Sequence, residues 1–115
     1  MSFCQFEEKR VEMLAQGYLD GRRPGVEIRH KLDLGFRVEK QSLVIFEIRP
    51  DWQNPEIKRE SMIAKTTFVR SRNVWKIYWQ RADFKWHLYE PAGEVETVGE
   101  FFEVLDRDEY GCFWG

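Results

Sequence analysis

Apolar residues first recur at helical spacing. Val11, Leu14, Ala15 and Tyr18 stand at i, i+3, i+4 and i+7 and predict one buried stripe on a helix over residues 3–19. Ser2 and Gln5 have the separation of a capping box at its start. Gly21 stands at the C′ position, and the run Arg22-Arg23-Pro24-Gly25 cannot continue the helix. From Ile28 the period drops to two: Leu32, Leu34, Phe36 and Val38 alternate with Asp33, Gly35, Arg37 and Glu39, the pattern of a strand with one face on a core. A turn near Glu39-Lys40-Gln41 leads to a second strand over residues 42–49. Val44, Phe46 and Ile48 are expected on its core face, with Glu47 and Arg49 on the other.

Residues 50–61 hold Pro50, Trp52 and Pro55 among polar neighbours and read as a long connection. Strand character resumes over residues 62–70, and Ser71-Arg72-Asn73 supplies a turn. Two further strands follow, residues 74–81 and 85–89. With Ala82-Asp83 as the central turn residues, Trp79 opposes Trp86 and Ile77 opposes Leu88, which collects four apolar side chains on one face. After Pro91, Thr97 and Glu100 repeat the capping-box spacing. Val98, Phe101, Phe102 and Leu105 then mark a second amphipathic helix. The last seven residues, Glu109 to Gly115, are too apolar for a free tail and are expected to dock on the core.

Turns this short join antiparallel strands, because a parallel crossover needs a dozen or more residues. The expectation is a single α+β domain over residues 1–115: a curved antiparallel sheet of about five strands, with an N-terminal and a C-terminal helix packed on one face. No repeat, linker or low-complexity tract divides the chain.

Composition supports a self-sufficient core. The 115 residues are 43% hydrophobic and include nine Phe, five Trp and four Tyr, enough large side chains to fill a small domain without metal or disulfide support. No apolar run approaches the length of a membrane span, and the N-terminal residues lack a signal-peptide core, so a cytoplasmic location and no membrane contact are expected. Cys4 and Cys112 are expected to remain thiols. Net charge is −2, but residues 58–89 carry eight basic side chains against Glu60 and Asp83, whereas residues 90–115 carry Arg107 against eight acids. Either the acidic end folds back on the basic stretch, or that stretch faces a polyanion.

The strand assignment gathers Glu47, Arg49, Lys65, Lys76, Tyr78 and His87 on the face opposite the helices. Basic groups interleaved with aromatic rings suit a single-stranded nucleic acid, and the same charges suit an acidic protein. An enzymatic alternative is a metal-dependent hydrolase or nuclease: Asp33, Glu47 and Lys65 would hold a divalent cation and activate water, with His87 as a further acid/base candidate. No Gly-rich phosphate loop, GxSxG elbow or metal-ligand spacing is present, so neither a cofactor nor a resident metal is expected.

Six segments in order carry a resemblance: Arg22-Arg23-Pro24, Asp33-Leu34-Gly35-Phe36-Arg37, Phe46-Glu47-Ile48-Arg49-Pro50, Trp75 to Asp83, Lys85-Trp86-His87, and Glu109 to Gly115. Over nearly the whole chain the sequence resembles the bacterial family called domain of unknown function 3024. The resemblance implies a small bacterial cytoplasmic protein and supplies no activity. The reading that follows is a non-enzymatic binding module for a polar or anionic partner, whose identity and oligomeric state the sequence leaves open.

Overall fold

Phe3 decides where the first helix begins. Its ring packs 5.8 Å from Trp75 and 6.5 Å from Phe68, and its N–H donates to the Lys40 carbonyl, so the backbone is tied down there. The cap therefore falls on Cys4 instead of Ser2. Glu7 Oε1 accepts from the Cys4 N–H at 3.0 Å, and helix α1 spans Gln5–Asp20 in this computed structural model, which describes residues 2–115. Val11, Ala15 and Leu19 form the buried stripe, while Leu14, expected in it, is more exposed. Gly21 caps the helix with a helical φ of −79°, so no left-handed turn is needed at that glycine.

Six antiparallel strands follow: β1 Asp33–Glu39, β2 Ser42–Pro50, β3 Lys58–Val69, β4 Val74–Gln80, β5 Trp86–Leu88 and β6 Glu94–Val95. The first five lie in chain order across the sheet, and β6 adds to β4 beyond a short 3-10 turn at Glu90–Ala92. Lys40 and Asn73, both at φ 53°, turn the two tight hairpins. Helix α2, Val98–Arg107, starts where its sequence places it, with the Glu100 N–H donating to Thr97 Oγ1 at 3.1 Å. Val98, Phe101, Phe102 and Leu105 are buried, as their spacing predicts. Both helices pack against one face of the open sheet, which is the α+β architecture expected. Among the described residues, no helix is long and apolar enough to cross a membrane.

Three details depart from the sequence reading. The connection after β2 is shorter than expected, because β3 already begins at Lys58 and pairs with Pro50. Residues 58–61 are exposed, so no apolar alternation betrays the strand. The second departure is the orientation of β2. Leu43 and Ile45, opposed by Val38 and Phe36, face the helices, and Val44 and Phe46 face the other way. Both sets are buried, so composition alone could not choose between them. Phe46 is accommodated on the open side because Gly35 leaves room beside its ring, over which the Arg37 guanidinium lies 5.0 Å from the centroid. The third departure is β6, too short for a periodic signal.

The C-terminal residues dock as expected. Phe113 is buried 4.8 Å from the Tyr89 ring, and Trp114 Nε1 donates to the Leu105 carbonyl at 3.1 Å. Asp108, left-handed at φ 37°, ends α2 and accepts the Phe113 and Trp114 N–H groups at 3.1 and 2.8 Å.

Candidate functional site

The β4–β5 hairpin sets which side chains reach the open face. Its loop, residues 81–85, has an odd length because Phe84 adopts a left-handed φ of 62°. Asp83 Oδ1 accepts the Lys85 N–H at 2.9 Å, and the Phe84 N–H donates to the Arg81 carbonyl at 2.9 Å. The resulting register opposes Gln80 to Trp86, Trp79 to His87 and Tyr78 to Leu88. Trp86 and Leu88 therefore lie on the open face, and the expected Trp79–Trp86 and Ile77–Leu88 pairs do not form. Arg81, not Trp86, covers the Trp79 ring, at 5.5 Å. Tyr89, on the helix side, is almost wholly buried instead.

Strand pairing aligns Arg37, Val44, Lys65, Tyr78 and Leu88 in a row across five strands, and Glu39, Ser42, Thr67, Lys76 and Glu94 in a second row beside it. Lys65 reaches between two half-buried rings: its Nζ lies 5.8 Å from the centroids of both Tyr78 and Trp86. A cation over a ring face is attracted by the quadrupole. The Ser42 and Thr67 hydroxyls bond at 2.7 Å and support the second row.

The basic stretch is only partly neutralised. Arg59 pairs with Asp51 at 3.0 Å, Arg70 with Glu7 at 3.0 Å, and Arg72 with Glu94. Among the described residues, the acidic C-terminal segment reaches this stretch in that last pair, while its Asp106 holds Arg22. Lys65, Lys76, Arg81 and Lys85 make no ion pair among the described residues. Of these, Lys65 and Lys76 share the open face with the Tyr78 and Trp86 rings, whereas Arg81 lies over Trp79 on the other side.

The six residues expected on one face divide between two. Lys65, Lys76 and Tyr78 share the open face. Glu47 and Arg49 share the side of Leu43 and Ile45, and they form their own pair at 3.2 Å. His87 lies on the side of Trp79, its Nε2 2.9 Å from Asp83 Oδ2. The Lys85 N–H, and after it this His87 contact, hold the Asp83 carboxyl below its usual range. Asp33 accepts both Arg23 Nε and Nη2 at 2.7 Å, and this fork also lowers its carboxyl pKa. Asp33 opposes Ile48 while Glu47 opposes Leu34, so the two acids project to opposite faces. The trio Asp33, Glu47 and Lys65 is therefore not assembled. Trp86, which the sequence reading assigned to the core, is the ring it missed. The available signal was Asp83 two residues before Lys85, a side chain suited to lengthening a turn by accepting a backbone N–H.

A family model described as Domain of unknown function (DUF3024) matches residues 3–115. No curated protein and no solved structure matches the chain.

Proposed function

The chain belongs to this family of unknown function, and from that premise we propose that it is a binding module whose open sheet face takes a single-stranded nucleic acid. The observation carrying the proposal is Lys65, held 5.8 Å from both the Tyr78 and Trp86 rings. Bases stack on aromatic faces, and cations follow the phosphates. That combination binds single strands with little sequence readout. Lys76 extends the positive face along β4, and Gln80, which donates to the Phe84 carbonyl at 3.2 Å, adds an amide beside Trp86. Glu47, Arg49 and His87 drop out of the site because they point to the other side. The hydrolase reading loses support for the same reason, since it needs Asp33 and Glu47 on one face.

Fluorescence anisotropy of a labelled single-stranded oligonucleotide tests the reading at two salt concentrations. Affinity should fall as salt rises, with a log–log slope of about −0.7 per phosphate neutralised. Trp86→Ala should weaken binding by about 1–3 kcal/mol, read under conditions where its own urea curve shows the variant folded, because the ring is partly buried and its loss also costs stability. Salt-independent anisotropy, or binding that survives Trp86→Ala and Lys65→Glu together, overturns it.

A further inference from the structure

Part of β3 is paired on one side alone. β2 follows it from Lys58 to Thr67, but β4 pairs with it only from Ala64 onwards, so residues 58–62 border open space in line with the end of β4. A β-bulge near Ile63 marks the step. In such a stretch alternate residues aim N–H and C=O groups away from the one paired strand, as a template for another. The other rims are guarded. Beyond β4 the rim is broken by the 3-10 turn at Glu90–Ala92, whose Pro91 has no N–H to donate. On β1, Arg37 and Glu39 pair with each other at 3.5 Å.

The step is also electropositive. Arg81 and Lys85 stand in the adjoining loop without an ion pair among the described residues, and Lys58 Nζ donates only to the His30 carbonyl at 3.2 Å. Three nearby acids are engaged, Asp51 by Arg59, Glu60 by Arg37 at 2.6 Å, and Asp83 by the Lys85 N–H and His87, while the exposed Glu56 makes no ion pair among the described residues. The loops that follow β2 and β4 each carry a highly exposed aromatic side chain, Trp52 at 85% exposure and Phe84 at 83%. Each follows an aspartate that fastens its own loop, Asp51 accepting the Gln53 and Asn54 N–H groups and Asp83 that of Lys85. Rings on loops already ordered are immobilised at little further entropic cost.

We propose that an extended acidic peptide segment of a partner protein adds as a strand to residues 58–62, in line with β4, with its carboxylates beside Arg81 and Lys85. Main-chain hydrogen bonds supply the attachment, and the unpaired cations select an acidic segment over a basic one. The site goes beyond the nucleic-acid reading, because it uses a strand edge and not the open face.

The test uses the full chain and a fluorescein-labelled octapeptide alternating Glu and Val, read by anisotropy. Two further versions carry N-methyl groups on one or the other set of alternate backbone nitrogens. Strand addition predicts that one version loses about tenfold in affinity and the other keeps it, because only one set of peptide N–H groups faces β3. Arg81→Glu with Lys85→Glu should weaken the unmodified peptide by about tenfold, whereas Trp86→Ala should leave it unchanged, which separates this site from the oligonucleotide site. Equal binding of both N-methylated versions, equal binding of a Lys/Val octapeptide, or no binding of the Glu/Val octapeptide overturns the proposal.

Discussion

Gly35 lets the open side of the sheet bury a large ring. A Cβ placed there would stand 2.8 Å from one Phe46 ring carbon and 3.3 Å from Ile48 Cδ1, so the ring and its neighbour would have to shift. The strain is steric, since Gly35 is not among the residues of positive φ. Gly35→Ala should lower stability by about 1–3 kcal/mol, the usual cost of forcing extra volume into a packed site. A urea unfolding curve measures it, and an unchanged midpoint would show that Phe46 moves aside freely. The Asp33–Leu34–Gly35–Phe36–Arg37 segment thus joins an ion-paired carboxylate, two residues facing the helices, a clearance and a cation over Phe46. Its alternation was legible, but the partner of each open-side residue was not, because that partner lies on another strand.

At the scale of elements, Asp108 joins α2 to the C-terminal residues. Its backbone is left-handed and its carboxylate accepts two N–H groups from the next turn of chain. Asp108→Ala removes both acceptors and leaves a left-handed alanine, so a loss of about 1–3 kcal/mol is expected. Asn retains an acceptor and tolerates this conformation better, so Asp108→Asn should recover part of that loss. Parallel unfolding curves followed by tryptophan fluorescence check the order, with equal losses for Ala and Asn counting against it. The helix itself was readable from Thr97, Glu100 and the Val98–Leu105 stripe because all its signals are local. The β4–β5 hairpin was not, although its strands were. One residue more in the loop exchanges the faces of Trp86 and His87, and apolar side chains stood at alternate positions that suited the wrong register.

Across the whole molecule, several carboxylates are held ionised by the fold. The Arg70 guanidinium, followed by the Cys4 N–H, lowers Glu7 from 4.5 to about 2. Asp33 is lowered chiefly by Arg23, Asp51 chiefly by Arg59, and Asp83 chiefly by the Lys85 N–H. A depressed folded-state pKa means that the unfolded chain takes up protons first as pH falls. The stabilisation is therefore complete above the ordinary carboxylate range and is lost on acidification towards the folded values. The urea midpoint should hold between about pH 7 and 5 and then decline. Glu7→Gln should flatten part of that decline between its ordinary 4.5 and about 2. A profile identical to that of the unmodified chain would show that Glu7 is free in solution.

The sequence by itself determined the two helices, the antiparallel α+β class, most strand positions and the docked C-terminal end. Each of these follows from periodicity, caps, short turns or apolar content, which are properties of neighbouring residues. The tertiary structure alone decided that Leu43 and Ile45 face the helices, that Trp86 joins Lys65 and Tyr78, and that Glu47, Arg49 and His87 lie apart from them. Those outcomes depend on strand register and on which of two apolar faces the helices cover. Because side chains alternate with period two, a shift of one residue changes the face of every group on a strand while leaving its local pattern intact.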